Sequence, residues 1–158
     1  MADELNLITP VNDTFRRDLE LADPTLLDPN DALALVQGEW LVLNGSHKLA
    51  RVGASSVRGA MQMFTQRGDT SAQAIGKVTV LQLHSYEADT TMFADALSAP
   101  TVGDPLTVKA STVDGVANRS ALAAAGSGDF VYAHVTKTPA TNGGKLRYQK
   151  STNLVPLP

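Results

Sequence analysis

Three histidines, His47, His84 and His134, are the side chains best suited to hold a metal or move a proton, and they lie far apart in the chain. None has a carboxylate or second histidine at the short spacing that aims two ligands at one ion. No metal site is expected from them. Glu87 and Asp89 stand two apart and share one face if the segment is a strand. Two carboxylates so placed repel unless solvated or bridged by a cation, and an exposed strand end is the expected setting. Gly126-Ser127-Gly128-Asp129 lacks the lysine and following helix of a phosphate cradle, and Gly143-Gly144-Lys145 lacks the upstream glycine of a P-loop. Both read as turns. No serine occupies a Gly-x-Ser-x-Gly elbow, and with no cysteine there is no thiol nucleophile, thiolate site or disulfide. Arg67-Gly68-Asp69 is a tripeptide used by some adhesive loops, but before Thr70-Ser71 it reads as a turn. Asn118-Arg119-Ser120 fits the glycosylation pattern, which matters only in a secreted chain. No catalytic residue, cofactor or metal is expected, and the chain does not read as an enzyme.

The elements that would carry such residues follow from composition. At 158 residues with 43% hydrophobic side chains, the chain can bury the core of one ordinary domain. The charged fraction of 18% and this hydrophobic content exclude wholesale disorder. A net charge of −3 excludes the basic field of a general nucleic-acid binder. The opening Met-Ala-Asp-Glu-Leu puts acid where a secretory signal needs base. Apolar runs such as Ala121 to Ala125 fall far short of the roughly 20 residues of a membrane helix. A soluble chain made in the cytoplasm is the expectation.

Charge is distributed unevenly. Residues 1–40 hold nine carboxylates against Arg16 and Arg17, a balance of −7, while residues 41–158 hold seven acids and eleven bases, a balance of +4. The acidic stretch also carries Pro10, Pro24 and Pro29, which break regular helix, together with Leu5, Leu7, Ile8, Phe15, Leu19, Leu21, Leu26 and Leu27. A solvated tail would lack those side chains. Residues 1–35 therefore read as an extended, mostly irregular arm that lies against something, either a partner or its own body. Fully extended, such an arm spans on the order of 115 Å at about 3.3 Å per residue.

Residues 36–158 read as a β-rich body. Gly38 to Leu43 is rich in strand formers, Asn44-Gly45 signals a hairpin turn, and Lys48 to Val52 is the return strand. Gly76 to Tyr86 is the strongest strand signal, with a slip in side-chain parity between Val80 and Leu81 that calls for a bulge or for burial of both faces. Asp104 to Lys109 alternates, and Asp114-Gly115 turns. Phe130, Tyr132, His134 and Thr136 are expected on one strand face, with Val131, Ala133 and Val135 on the other. Asn142-Gly143-Gly144 leads into Lys145 to Lys150, a closing hairpin. Only Ser120 to Ala125 suggests a helical turn or two, with Ser120 as its cap and Gly126 beyond its end. The fold class expected is mainly β, a small β-barrel or β-sandwich with an N-terminal arm. Trp40, where arm meets body, is the largest apolar anchor.

Three stretches carry a resemblance to a known family. Asp28-Pro29-Asn30 through Gly38-Glu39-Trp40-Leu41 resembles the junction where an arm enters the body of a tailed-bacteriophage capsid decoration (cement) protein. Phe64-Thr65-Gln66-Arg67-Gly68-Asp69 through Gly76-Lys77-Val78-Thr79-Val80-Leu81 is similar to a central hairpin region of phage head proteins. Val102-Gly103-Asp104-Pro105-Leu106-Thr107-Val108, Ala121 to Gly126 and Phe130-Val131-Tyr132-Ala133 resemble their closing barrel. The resemblance implies a β-tulip-like body located on the outer surface of the virion capsid. It implies binding to the major capsid protein, bridging of neighbouring subunits, and self-association as a homotrimer or homodimer, with neither nucleic acid nor membrane as partner. The interface with capsid or sister subunits is then expected at Phe15, Arg16, Arg17, Leu19, Leu21, Leu26, Leu27 and Trp40. Another virion component (a tail-tube, spike or head–tail connector subunit) and a soluble β-barrel ligand-binding module are the alternatives.

Overall fold

The computed structural model describes residues 5–8, 16–28, 30–64, 76–81, 85–151 and 154–158. The protein is mainly β, and the described residues contain no α-helix. Its strands are β1 (Leu5–Leu7), β2 (Arg16–Glu20), β3 (Trp40–Leu43), β4 (Leu49–Arg51), β5 (Met61–Gln62), β6 (Lys77–Leu81), β7 (Glu87–Thr90), β8 (Pro105–Val113), β9 (Val116–Ala124), β10 (Ala133–Lys137) and β11 (Leu146–Lys150). Short 3-10 turns cover Pro24–Leu27 and Pro139–Thr141, each opening on a proline whose fixed φ suits the first helical position.

Six strands in the order β1-β7-β11-β10-β8-β9 form an antiparallel sheet that curls into a half-barrel. Its longest hairpin, β8–β9, turns at Asp114-Gly115, where φ is +48° and +75°. Positive φ at both central residues is the turn whose twist matches the flanking strands, and glycine adopts it without steric cost. The Asp95 carboxylate fixes this tip by accepting the Asp114 and Gly115 amides at 2.8 and 3.0 Å.

The remaining strands link in a ring. β3 pairs with β4 and β5, and the residue after β5, Met63, bridges to Val80 of β6. β6 pairs with β2, and Leu21 at the end of β2 bridges to Leu49 of β4, closing the circuit. Inside the ring lie Leu21, Leu35, Leu41, Leu49, Met63, Val78 and Val80. The half-barrel encloses a larger cluster that includes Trp40, Leu81, Tyr86, Leu106, Leu122, Tyr132 and Tyr148. β3 and β6 serve both cores, because successive strand residues point to opposite faces. Trp40 and Leu81 enter the large core, while Leu41 and Val80 enter the ring. Burial of both faces is thus the source of the parity slip at Val80-Leu81.

Several sequence expectations change here. Ser120 to Ala124 is part of β9 and not a helical turn; Arg119 to Leu122 are all buried, and pairing with β8 overrides the helical preference of alanine. Tyr132 is buried while His134 is exposed, because β10 begins at Ala133 and the alternation restarts there. The segment read as an irregular arm supplies two strands, β1 on the half-barrel edge against β7 and β2 in the ring. The hairpin expected at Asn44-Gly45 is present between β3 and β4: the Asn44 N–H donates to the Lys48 carbonyl, and the Asn44 carboxamide oxygen accepts the Ser46 and Lys48 amides.

Candidate functional site

The ring, the half-barrel and the incoming N-terminal segment meet at one carboxylate. Glu39 precedes β3 and its side chain is fully buried. Arg51 of β4 donates to it through Nε at 2.8 Å and Nη2 at 3.0 Å, a two-pronged grip that a guanidinium makes and an ammonium cannot. Arg119 of β9 donates through Nη1 at 2.8 Å, and the Val36 and Ser120 amides add contacts at 3.1 and 3.3 Å. Arg119 also donates to the Ala34 carbonyl at 2.5 Å and to the Ala32 carbonyl at 3.4 Å. Two cations around one carboxylate leave an excess positive charge, which those carbonyl dipoles face. Gly38 makes the approach possible: its φ is +94°, and a Cβ there would sit 3.3 Å from Thr90 Oγ1. Sequence reading missed this cluster because Glu39, Arg51 and Arg119 lie 12 and 80 positions apart. The one available signal was an acid flanked by Gly38 and Trp40 at the start of an apolar strand.

Residues 16–28 and 30–36 form a strap over the ring. Leu21 and Leu35 are buried in it, Leu19, Leu26 and Leu27 are half-buried against it, and Arg17 is exposed. The strap is bonded to itself as well: the Asp23 carboxylate accepts the Thr25 amide, and the Leu35 amide donates to the Leu26 carbonyl at 2.8 Å. Its outer side carries Asp18, Glu20, Asp23 and Asp28, all exposed. The structure therefore brings together Arg17, Leu19, Leu21, Leu26 and Leu27 of the expected interface. Of Arg16 only the backbone, paired with Leu81, is described, and Phe15 lies outside the described residues. Trp40 is apart from them, fully buried in the large core with its ring edge-on to Tyr132 at 5.6 Å. In this fold it anchors the chain's own core and presents no surface.

Polar groups inside the large core are organised around Gln62. Its carbonyl oxygen accepts from the Tyr86 hydroxyl at 2.7 Å and from the Tyr148 hydroxyl, and its amide donates to the Gly38 carbonyl at 3.1 Å. Burial pushes the Tyr86 and Tyr148 hydroxyls well above their ordinary range, and the Tyr132 hydroxyl upward, since phenolate would be unsolvated there. Tyr132 donates to the Val57 carbonyl at 2.6 Å and accepts the Ala60 amide at 2.9 Å.

Glu87 and Asp89 do not sit at an exposed strand end. β7 is an interior strand, and Asp89 is buried, gripped by Arg147 Nε at 2.8 Å and Nη2 at 3.0 Å and by the Asn142 amide at 2.7 Å. The Arg147 guanidinium holds the Asp89 carboxyl below the usual range, against the opposing effect of burial. Glu87 accepts from the Thr136 hydroxyl at 3.0 Å. Among the described residues no cluster of three or more His, Cys, Asp or Glu could hold a metal ion. A groove of about 270 Å³ runs beside the chain's last described segment, lined by Val131, His134, Ser151, Val155, Pro156 and Leu157.

Comparison with protein-family models, with curated proteins and with solved structures finds no match to this chain in any of the three.

Proposed function

We propose that this chain is a capsid decoration (cement) protein of a tailed bacteriophage. It binds the outer surface of the assembled head, bridges neighbouring major capsid subunits and stabilises the shell, acting by attachment and not by catalysis. In this reading the body is a β-tulip-like barrel and the protein is a homotrimer or homodimer on the capsid. The observation that carries the proposal is the strap. It lies across a β scaffold with Arg17, Asp18, Glu20, Asp23, Asp28 and Leu33 turned to solvent, and with Leu19, Leu21, Leu26, Leu27 and Leu35 turned inward. A charged ribbon laid across a β scaffold is suited to attachment over a broad surface, and its excess of acid fits basic ground on the receiving subunit.

The test is cosedimentation with empty heads assembled from the cognate major capsid protein. Saturable binding at a lattice-defined ratio is expected, weakening as salt is added. Deleting the strap is a poor probe, since Leu21 and Leu35 are core residues. Removing exposed charge by Asp23→Asn with Asp28→Asn, which keeps the oxygens that accept the Thr25 and Asn30 amides, is the better one, and a several-fold loss of attachment is expected. Absent or non-saturable binding overturns the proposal. One observation favours a ligand-binding module instead, the groove beside His134. Its volume of about 270 Å³ falls below the roughly 300–1,000 Å³ of small-molecule pockets, which leaves the cement reading ahead.

A further inference from the structure

We infer that the strap, residues 16–28 and 30–36, opens and closes as one unit, with Arg119 as the latch. Among the described residues its backbone is tied to the rest of the fold at three places, beside the Glu20–Lys48 ion pair and the packing of Leu21, Leu35 and Val36. The β2–β6 ladder pairs Arg16 to Glu20 with Leu81 to Lys77. The Leu21 and Ala22 amides donate to the Gly76 and Leu49 carbonyls at 2.9 and 2.8 Å. Arg119 spans the third junction, reaching the Ala32 and Ala34 carbonyls from β9 while bound to Glu39. Between these points the segment bonds to itself, through Asp23 with Thr25, the Asp28 amide with the Thr25 carbonyl, the Ala34 amide with the Asp31 carbonyl, and Leu35 with Leu26. A segment braced internally moves as a body when its outward ties part, and cooperative local opening of such units is a general property of folded chains.

The ring beneath the strap explains why opening would occur here. Its core is aliphatic and holds none of the buried hydroxyl network that fixes the half-barrel. β2 is one stave of that ring, with exposed residues along its outer side. Arg119 is the only side chain of the half-barrel strands whose hydrogen bonds to the strap backbone are among those described. Its loss removes these hydrogen bonds between strap and half-barrel and leaves the packing of Val36 against Met92, Val113 and Ala121, and the β2–β6 ladder, in place. Opening brings Leu21 and Leu35 to the surface, so an attaching partner could meet apolar as well as charged groups. That consequence rests on the proposed function, whereas opening itself is a property of the free protein.

Amide hydrogen exchange on the intact chain tests it. The Leu21 and Ala22 amides donate out of the strap, to the Gly76 and Leu49 carbonyls, and those of Tyr132, Val135 and Lys150 are hydrogen-bonded in the half-barrel. Hydrogen bonding alone would protect both sets alike; Ala22 is exposed, so the buried Leu21 is the deciding reporter. The expected result is that the first two exchange at a common rate, at least tenfold faster than the other three. Arg119→Met, which keeps the aliphatic stem, is expected to speed the first set by another tenfold and leave the second unchanged. A lock is available because the chain has no cysteine. Asp18 and Thr79 are directly paired across β2–β6, so Asp18→Cys with Thr79→Cys places two thiols within disulfide range. Oxidation is expected to slow the Leu21 and Ala22 amides at least tenfold, and reduction to restore them. Equal rates in the two sets, or no response to oxidation, overturn the inference. So does an equal acceleration of all five amides by Arg119→Met.

Discussion

The half-barrel and the ring are both small β cores, yet they are built from different materials. The half-barrel core contains Trp40, Tyr86, Tyr132 and Tyr148, and each tyrosine hydroxyl has a specific partner. The ring core is leucine, valine and methionine throughout. Buried hydroxyls tolerate one arrangement, because a shifted partner leaves a polar group unsatisfied in a low-dielectric interior. Aliphatic side chains repack at modest cost when volume is preserved. The protein thus joins a core that specifies geometry to one that can adjust, and the acid-bearing strap lies on the adjustable side. Glu39 stands at the seam, with one arginine from each region.

The seam is where the comparison breaks most completely. Glu39→Leu leaves Arg51 and Arg119 without their counter-charge, and a destabilisation of about 3–5 kcal/mol is expected in urea denaturation. Trp40→Ala removes the largest buried side chain and is expected to cost about 3–5 kcal/mol as well. Because Trp40 and Leu41 are adjacent on β3, that loss should appear as one transition in which both regions unfold together. Leu35→Ala acts on the ring alone. Its expected cost is about 2–3 kcal/mol, at the low end for such truncations, because Leu26, Leu27 and Met63 can collapse into the space. Hydrogen exchange should then speed up in the strap first. A uniform acceleration across β8 and β10 would show that the two cores are one.

These two regions differed in how far the sequence disclosed them. The β8–β9 tip was readable from Asp114-Gly115 and the closing hairpin from Asn142-Gly143-Gly144, since turn chemistry is local. The slip at Val80-Leu81 was visible too, and its cause was one of two named. What stayed hidden depended on distance. Leu21 was recognised as needing burial, but nothing local says that its partner is Leu49. Ser120 to Ala124 looked helical because alanine favours helix, and only the β8 neighbour makes it a strand. Asp89 looked exposed because the guanidinium that neutralises it lies 58 residues downstream. The expected interface was legible as a set of arm residues with apolar and charged sides. Trp40 was grouped with them by position in the chain, whereas its packing belongs to the large core.

Alkaline titration offers a gentler way to separate the cores. All three tyrosines of the chain lie in the half-barrel, and their hydroxyls titrate higher when folded than the ordinary value of about 10. A raised folded pKa means that the unfolded chain releases its proton first. The stabilisation is therefore complete below about pH 10 and is lost as pH rises through the folded values. Thermal melts between pH 9 and 12 should show a falling midpoint. Tyr86→Phe should lower stability at neutral pH by about 1 kcal/mol, the worth of one hydrogen bond, and should also flatten the alkaline decline. An unchanged slope would mean that Tyr86 does not contribute to it. The ring, which contains no tyrosine, should follow only through its coupling at β3 and β6.

The smallest effect concerns a second glutamate on the strap side, and it shows what the seam adds. Glu20, the last residue of β2, meets Lys48 at 3.4 Å with both side chains about half exposed, at 53% and 46%. It bridges the strap to the loop before β4, so by location it could be taken for a second latch. Its setting argues otherwise. In water the attraction between such ions is weak, the two flexible side chains lose entropy in holding one geometry, and added salt screens what remains. Glu20→Gln should therefore cost no more than about 0.2–1 kcal/mol, with the difference from wild type vanishing in high salt. Glu39→Leu should instead keep its full cost in high salt, because ions do not reach a fully buried carboxylate. Urea titrations of both variants at low and high ionic strength make the measurement. If Glu20→Gln proved as costly as Glu39→Leu, the strap would be held by its rim, and the role assigned to Arg119 would pass to Lys48.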